Sequence, residues 1–309
     1  MGELKNNGFI WIDIVKPNRD EMKKLGERFP FHELNLEDCL SKFQIPKIDR
    51  YEDHIFVILN FPTLEKERIP RSSQLAVFIG SGFLVTIHHG ELGAISEIFQ
   101  QCIKNEKARK ELMGKSAGFL FHTIIDSLTD DLLNLVRKII GNIEDIEDVV
   151  FDEKSDAAGE ISYIRRQITA LRRIAIPLKR TVNEIANKDM RRFSEEDLAL
   201  YFDDVSDHID KVIDTLEASR ETIEIYKDTN FMHGTDRSNK ILAILTIVFT
   251  LSMPVTIISS LYGMNVDIPT IEDDSFQFLG RYTNFILIVI SSSAIAVAMA
   301  LYFHRIRWI

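Results

Sequence analysis

Tyr262, Gly263, Met264 and Asn265 stand together just beyond a segment, Ile241 to Leu261, that contains no ionisable residue. At about 1.5 Å per residue a helix of that length spans roughly 30 Å, the thickness of a bilayer's hydrocarbon core. Along it Asn239, Leu242, Leu245 with Thr246, Phe249, Met253, Thr256 and Ser260 recur at helical spacing, polar at the two ends and bulky and apolar between. Such a stripe suits an aqueous path, and the chemistry it supports is ion passage. One pair of membrane helices leaves no interior shielded from lipid, so a path requires several copies of the chain. The plainer reading is that Ser and Thr hydroxyls in membrane helices bond to their own backbone or to a neighbouring helix, and that Pro254 is one of the prolines such helices tolerate. Enzymatic chemistry has less support. The histidines, His88, His89 and His122 among them, show no nucleophile or metal constellation. Cys39 and Cys102 fit no metal spacing and no disulfide framework, and read as buried small hydrophobes in a reducing compartment. No nucleotide-binding loop is visible that would suggest ATP drive.

The elements that position these residues follow from the texture of the chain. A second uncharged segment, Phe285 to Phe303, is rich in Ile, Val, Ala and Ser291 to Ser293 and lacks a polar stripe, so it is expected to face lipid. With 45% hydrophobic residues and a mean hydropathy of -0.03, the 309-residue chain resembles an ordinary soluble protein on average, because a polar remainder dilutes the two spans. Lys227, Arg237 and Lys240 precede the first span, and His304, Arg305 and Arg307 follow the second. The connecting loop carries one base, Arg281, against Asp267, Glu272, Asp273 and Asp274. Basic flanks stay inside, so both termini are expected in the cytoplasm, in an inner or plasma membrane, with the acidic loop outside. The first residues, Met1 to Asn7, lack the apolar core of a secretory peptide. All but four of the 47 acids and all but three of the 37 lysines and arginines lie at or before Lys240, within a formal net charge of -10. That balance disfavours nucleic acid as a partner and suits a domain that meets cations.

Phe9 and Trp11 with Ile12 to Val15, Ile55 to Phe61, Leu75 to Ile79 and Phe83 to His88 predict strands, and Arg19 to Phe29 and Phe31 to Leu40 predict helices. From about Ala117, apolar residues return every three or four positions: Ile125, Leu128, Leu132, Leu135, Ile139, Ile143, Ile146 and Val150, then Ile161, Ile164, Ile168 and Leu171, then Val205, Ile209, Val212, Leu216, Ile223 and Tyr226. The last series predicts one very long helix, from about Ser194 to Tyr262, with Gly234 as its weak point. The expected organisation is a cytoplasmic α/β domain (1–116), a cytoplasmic helical stalk and bundle (117–240), a first transmembrane helix (241–262), an outer loop (263–284), a second transmembrane helix (285–303) and a basic tail (304–309).

Placed between two C-terminal membrane helices with a short outer loop, Tyr262-Gly263-Met264-Asn265 resembles the signature of the CorA family of magnesium channels. The Met253-Pro254 pair, the basic tail ending at Trp308 and the order of domains along nearly the whole chain are similar too. The resemblance implies a funnel-shaped homopentamer in a lipid bilayer whose first membrane helices line a central pore. Mg²⁺ would be both cargo and regulator, with Co²⁺ and Ni²⁺ as further cargo and no organic cofactor. Asn265 from five subunits would form the selective ring. Mg²⁺ gives up its water reluctantly, so neutral carboxamide oxygens can hold the hydrated ion where five carboxylates would bind it too firmly for rapid passage. Gly263 would permit the turn that ends the helix, with Tyr262 and Met264 packed around the ring. Asn239 and Thr256 would offer oxygens to hydrated ions, and Leu242, Leu245 and Met253 would form an apolar neck that closes by dewetting. Phe249 is larger than expected on this face.

The same resemblance implies that Asp38 and Asp204, with Glu37 as a further candidate, hold regulatory Mg²⁺ between adjacent subunits. Two carboxylates about 4 Å apart repel by roughly 4 kcal/mol at an effective dielectric of 20, and a bound cation would offset that repulsion and hold the interface shut. The plainer reading of an acidic cluster on a helix is a solvated face. Asp228 near the cytoplasmic mouth, and Asp267, Glu272, Asp273 and Asp274 outside, would attract cations. The outer loop reads Ile268-Pro269-Thr270-Ile271 where the family commonly has Met-Pro-Glu-Leu. Two alternatives remain: a zinc, cobalt or nickel transporter of the related ZntB type, whose Gly-Ile-Asn contrasts with Met264 here, and a membrane-anchored sensor without transport.

Overall fold

The computed structural model describes residues 1–64, 69–188, 190–194, 197–264 and 283–305. Contacts divide the chain into two units, Met1–Asn230 and Phe231–Ile309.

In the first unit six strands, β1 (Gly2–Asn6), β2 (Phe9–Val15), β3 (Lys47–Arg50), β4 (His54–Thr63), β5 (Arg71–Gly80) and β6 (Phe83–His88), form one sheet in the order β1-β2-β6-β5-β4-β3. Only β2 and β6 pair in parallel, with Ile10 opposite Phe83 and Val15 opposite His88. Alternation along the strands sends side chains to two cores. Trp11, Ile55, Val57, Leu59, Leu75, Val77 and Leu84 face the long helices, while Ile12, Ile14, Phe56, Ile58, Ala76, Phe78 and Val85 face α1 (Arg19–Arg28) and α2 (Glu33–Leu40). The near-continuous apolar runs read in the sequence as strands are therefore the central strands, covered on both faces. β1 and β3 are edge strands that the composition did not announce. An Asn-Gly signal marks the first: Asn7 and Gly8 have φ of 47° and 87°, the left-handed pair that closes a two-residue hairpin between β1 and β2.

On the other face lie α3 (Gly93–Lys104), α4 (Glu106–Met113), α5 (Ala117–Phe151), α6 (Ala158–Lys188) and the first part of α8 (Ala199–Tyr262), with the short α7 (Met190–Phe193) between the last two. Ser116 starts α5 by accepting the Phe119 N–H at 3.2 Å. The predicted periodicity of α5, α6 and α8 is their buried stripe, with Ile125, Leu171 and Leu216 at 0% exposure; Leu135 is half-buried, and Val136 takes its place in the core. At roughly 1.5–3 kcal/mol per buried aliphatic side chain, this stripe is the main source of cohesion between the helices. Ion pairs run beside it in seven-residue steps: Arg165 with Glu224 at 3.6 Å, Arg172 with Glu217 at 2.6 Å, and Lys179 with Asp210. Steps that rise on α6 and fall on α8 fix the two helices as antiparallel neighbours. Each pair is partly exposed and worth under about 1 kcal/mol, so the ladder sets register more than strength.

α8 spans Ala199–Tyr262, starting later than the expected Ser194: the Leu198 carbonyl accepts the Phe202 N–H at 3.1 Å, and Asp197, in the turn before it, accepts the Ala199 N–H at 3.1 Å. It passes through Gly234 as helix. Within the second unit, residues 231–262 of α8 and α9 (Thr283–Arg305) are the two described helices, and both are long and apolar enough to cross a bilayer.

Candidate functional site

Helix geometry brings together acids that lie far apart in sequence. On α5, His122 and Asp126 are one turn apart; on α8, Asp204 and His208 are one turn apart, and the helices place these pairs face to face. One oxygen each of Asp126 and Asp204 and one ring nitrogen of His208 lie within 4.8 Å of one another. An octahedral Mg²⁺ spans only about 4.2 Å between opposite ligands, so small side-chain movements or intervening water would complete a shell here. His208 Nε2 is 4.0 Å from Asp204 Oδ1, and its buried Nδ1 has no hydrogen-bond partner. His122 Nε2 meets the Tyr201 carbonyl at 3.1 Å and therefore carries the proton, leaving a buried Nδ1 without a partner. Burial pushes the Asp126 carboxyl above its ordinary range, and the neighbouring carboxylates Asp130 and Asp204 add to the shift. Burial pushes His122 in the opposite sense, below its ordinary value, against the pull of Asp126. Both shifts describe a partly dry, electronegative spot in which a cation would replace missing solvation.

The two carboxylates expected to act together between subunits have different surroundings. Asp204 is exposed and belongs to the group just described. Asp38, in the last turn of α2, already has a cation: Lys47 Nζ lies 2.7 Å from its Oδ2 and 2.7 Å from Asp49 Oδ2. Gln44 Nε2 donates to Asp38 Oδ1 at 3.1 Å, and Gln74 Nε2 donates to its backbone carbonyl at 3.0 Å. Partial burial works against the Lys47 charge, yet the bonds to Asp38 and Asp49 hold its pKa above the ordinary lysine value. Glu37 is exposed on the same helix.

The sequence alone shows neither Asp126 nor His208 as a ligand candidate, and its histidines predict no metal constellation; the fold brings Asp126, Asp204 and His208 together. The signal was present as two pairs at i, i+4, His122 with Asp126 and Asp204 with His208, but only the packing of α5 against α8 turns them into one group.

In the second unit the predicted stripe is open. Asn239, Leu242, Leu245, Phe249, Met253 and Thr256 are all exposed, Phe249 the most among the apolar members. Thr256 Oγ1 donates to the Ser252 carbonyl at 2.9 Å and Thr246 Oγ1 to the Leu242 carbonyl at 2.8 Å. These back-bonds are those of the plainer reading, but they use only the hydroxyl hydrogen. The Thr256 oxygen keeps lone pairs that can accept from water around an ion. Tyr262 is the last residue of α8; the Gly263 N–H closes the helix on the Ser259 carbonyl at 2.9 Å, and Met264 follows, exposed. The φ of Gly263 is not positive, so its lack of a side chain matters through space: a Cβ there would sit 3.2 Å from the Ser259 oxygen. Asp228 is 72% exposed, 3.5 Å from Lys227. Asn265, Asp267, Glu272, Asp273 and Asp274 lie outside the described residues.

Comparison with known proteins agrees with the order of these parts. Residues 6–305 match the family described as CorA-like Mg²⁺ transporter protein. The cobalt/magnesium transport protein CorA of Thermotoga maritima is 27% identical over 304 residues, covering 97% of this chain and 83% of that protein. The zinc transport protein ZntB of Photorhabdus laumondii is 21% identical over 224 residues, covering 72% of this chain and 66% of that one. The complete structure of the CorA magnesium transporter from Methanocaldococcus jannaschii has the same fold, with a TM-score of 0.81 at 23% identity over 99% of this chain and 93% of that one.

Proposed function

The chain belongs to the CorA-like Mg²⁺ transporter family, and from that membership we propose that it is a passive Mg²⁺ influx channel gated by intracellular Mg²⁺. At the coarser level it is a membrane protein of divalent-metal transport and not an enzyme. One observation carries the finer reading: an exposed stripe on an uncharged helix ends at Tyr262 and runs directly into Gly263-Met264-Asn265. An exposed face of Leu, Phe and Met needs either lipid or other copies of itself, and the Asn239 and Thr256 oxygens at its two ends suit a face shared around an axis. Five copies, with both termini cytoplasmic, form the assembly in this reading. Asn265 ringed at the outer mouth meets the hydrated ion, and Leu242, Leu245 and Met253 form the neck. Asp228, Asp267, Glu272, Asp273 and Asp274 concentrate cations at the two mouths. An inside-negative potential of 100 mV supplies about 2.3 kcal/mol for each elementary charge that enters.

Gating in this reading rests on cations held by the cytoplasmic acids. Asp204, with Asp126 and His208 beside it, and Asp38, with Glu37 beside it, hold Mg²⁺ between adjacent subunits. Filling these sites holds the subunits together, and emptying them frees α8 to move the neck. The imidazole at His208 gives the first site affinity for Co²⁺ and Ni²⁺ as well as Mg²⁺, because nitrogen ligands favour the later divalent ions.

The likeness to ZntB gives a second reading, zinc transport. Flux into proteoliposomes separates the two. The magnesium reading expects Mg²⁺ uptake that Zn²⁺ does not abolish and that falls at least about tenfold in Asn265→Ala, the loss of an oriented oxygen ligand at a filter. Zn²⁺ uptake indifferent to millimolar Mg²⁺ would favour the second reading, and parent-like Mg²⁺ uptake by Asn265→Ala would remove the filter assignment.

A further inference from the structure

Lys47 sits in a cradle of side-chain oxygens. Its ammonium has three N–H donors, and three side-chain oxygens surround it: Asp38 Oδ2 and Asp49 Oδ2, each at 2.7 Å, and Asn35 Oδ1 at 3.3 Å. Asn35 and Asp38 come from one face of α2, three residues apart, and Lys47 and Asp49 from one face of β3, two residues apart. The cradle is fixed from behind. Asn35 is 2% exposed and donates from Nδ2 to the Tyr51 hydroxyl at 2.8 Å, Gln44 holds the second oxygen of Asp38, and the Phe56 ring lies 5.3 Å beneath the ammonium. Two carboxylates and a carboxamide are the oxygen donors that hard divalent cations take. One lysine charge against two carboxylates leaves the cradle with a net negative charge, so it still attracts a second cation.

We propose that Lys47 is a tethered competitor for the divalent cation at Asp38: its ammonium fills the oxygen cradle, and a cation binds there only by displacing it. Lys47 thereby sets the concentration at which the site fills. A compact, flexible ammonium on a four-carbon stem can swing out into solvent without disturbing β3, which a planar guanidinium engaged on two carboxylates does less readily. The inference rests on the reading of Asp38 as a cation ligand, but not on conduction, so its test uses readouts independent of ion flux.

The full-length protein in lipid nanodiscs is acetylated with an amine-selective ester, at constant ionic strength, with and without saturating Mg²⁺, and labelling is followed peptide by peptide. Lys47 labelling rises severalfold with Mg²⁺ while Lys110, paired with Glu106 on α4, stays constant. Calorimetric titration with Mg²⁺ then compares variants. Lys47→Met binds at least about tenfold more tightly than the parent, the affinity equivalent of one charge-assisted hydrogen bond, Lys47→Arg does not bind more tightly, and Lys47→Met with Asp38→Asn loses the gain. Unchanged Lys47 labelling at saturating Mg²⁺, or a Lys47→Met protein that binds no more tightly than the parent, overturns the proposal. Should Lys47→Met fail to fold, labelling of the parent decides alone. A protein that conducts no Mg²⁺ but passes these tests contradicts the channel reading and leaves the competitor in place.

Discussion

At the scale of single residues, charge pairs here differ by what surrounds them. Glu3 on β1 is clasped by both guanidinium nitrogens of Arg28 on α1, at 2.6 and 3.0 Å, and that hydrogen bonding holds its carboxyl down at about 2 despite some burial. A depressed carboxyl stabilises the fold above its unfolded value of about 4.5, and the contribution is lost as pH falls from there toward 2. Both partners are about a third exposed, so the contribution is about 1 kcal/mol or less. Glu3→Gln is therefore expected to lower the thermal midpoint slightly at pH 7 and to converge with the parent near pH 2. A difference that widens on acidification would contradict this assignment. Cys39 and Cys102 are both free and buried, and burial raises both thiols, so neither is a ready nucleophile. Of the residues that carry charge chemistry, the sequence disclosed those tied to a family motif, Asp38 and Asp204. Asp126, His208 and Lys47 carry no such motif: Asp126 and His208 meet only where α5 packs on α8, and Lys47 on β3 reaches Asp38 on α2 only through the fold.

At the scale of elements, periodicity was the strongest signal. The central strands and the stripes of α5, α6 and the first part of α8 are legible because their apolar residues are buried over long runs. The edge strands β1 and β3 are not, since an edge strand has one covered side and little apolar pattern to show. The start of α8 is set by a local turn, in which Asp197 accepts the Ala199 N–H, that competes with periodicity over a few residues only. The α6–α8 contact depends on its apolar stripe more than on its ion-pair ladder. Leu216→Ala, at a site with 0% exposure, is expected to cost about 2–5 kcal/mol in denaturant unfolding of the full-length protein. Removing the Arg172–Glu217 pair by a double substitution to Met and Gln should cost under about 1 kcal/mol. Equal costs for the two changes would mean that register, not burial, holds these helices.

At the scale of the whole molecule, the sequence revealed two membrane helices through their uncharged length, and the structure describes both as exposed apolar helices of the second unit. The α/β unit, the long α8 and the two C-terminal helices are the architecture of the CorA fold. Subunit number and gating are properties of an assembly, and a single chain's sequence holds them only as exposed surfaces: the open stripe of α8 and the exposed acids Glu37 and Asp204. The central claim is that these surfaces make a cation path closed by the cation itself. The most direct measurement is Mg²⁺ influx into liposomes holding the purified protein, with internal Mg²⁺ varied, for the parent and Asp204→Ala. The account predicts parent influx that falls away as internal Mg²⁺ rises and Asp204→Ala influx that persists at concentrations silencing the parent. Absence of influx at every internal concentration, or identical inhibition of the two proteins, would contradict it.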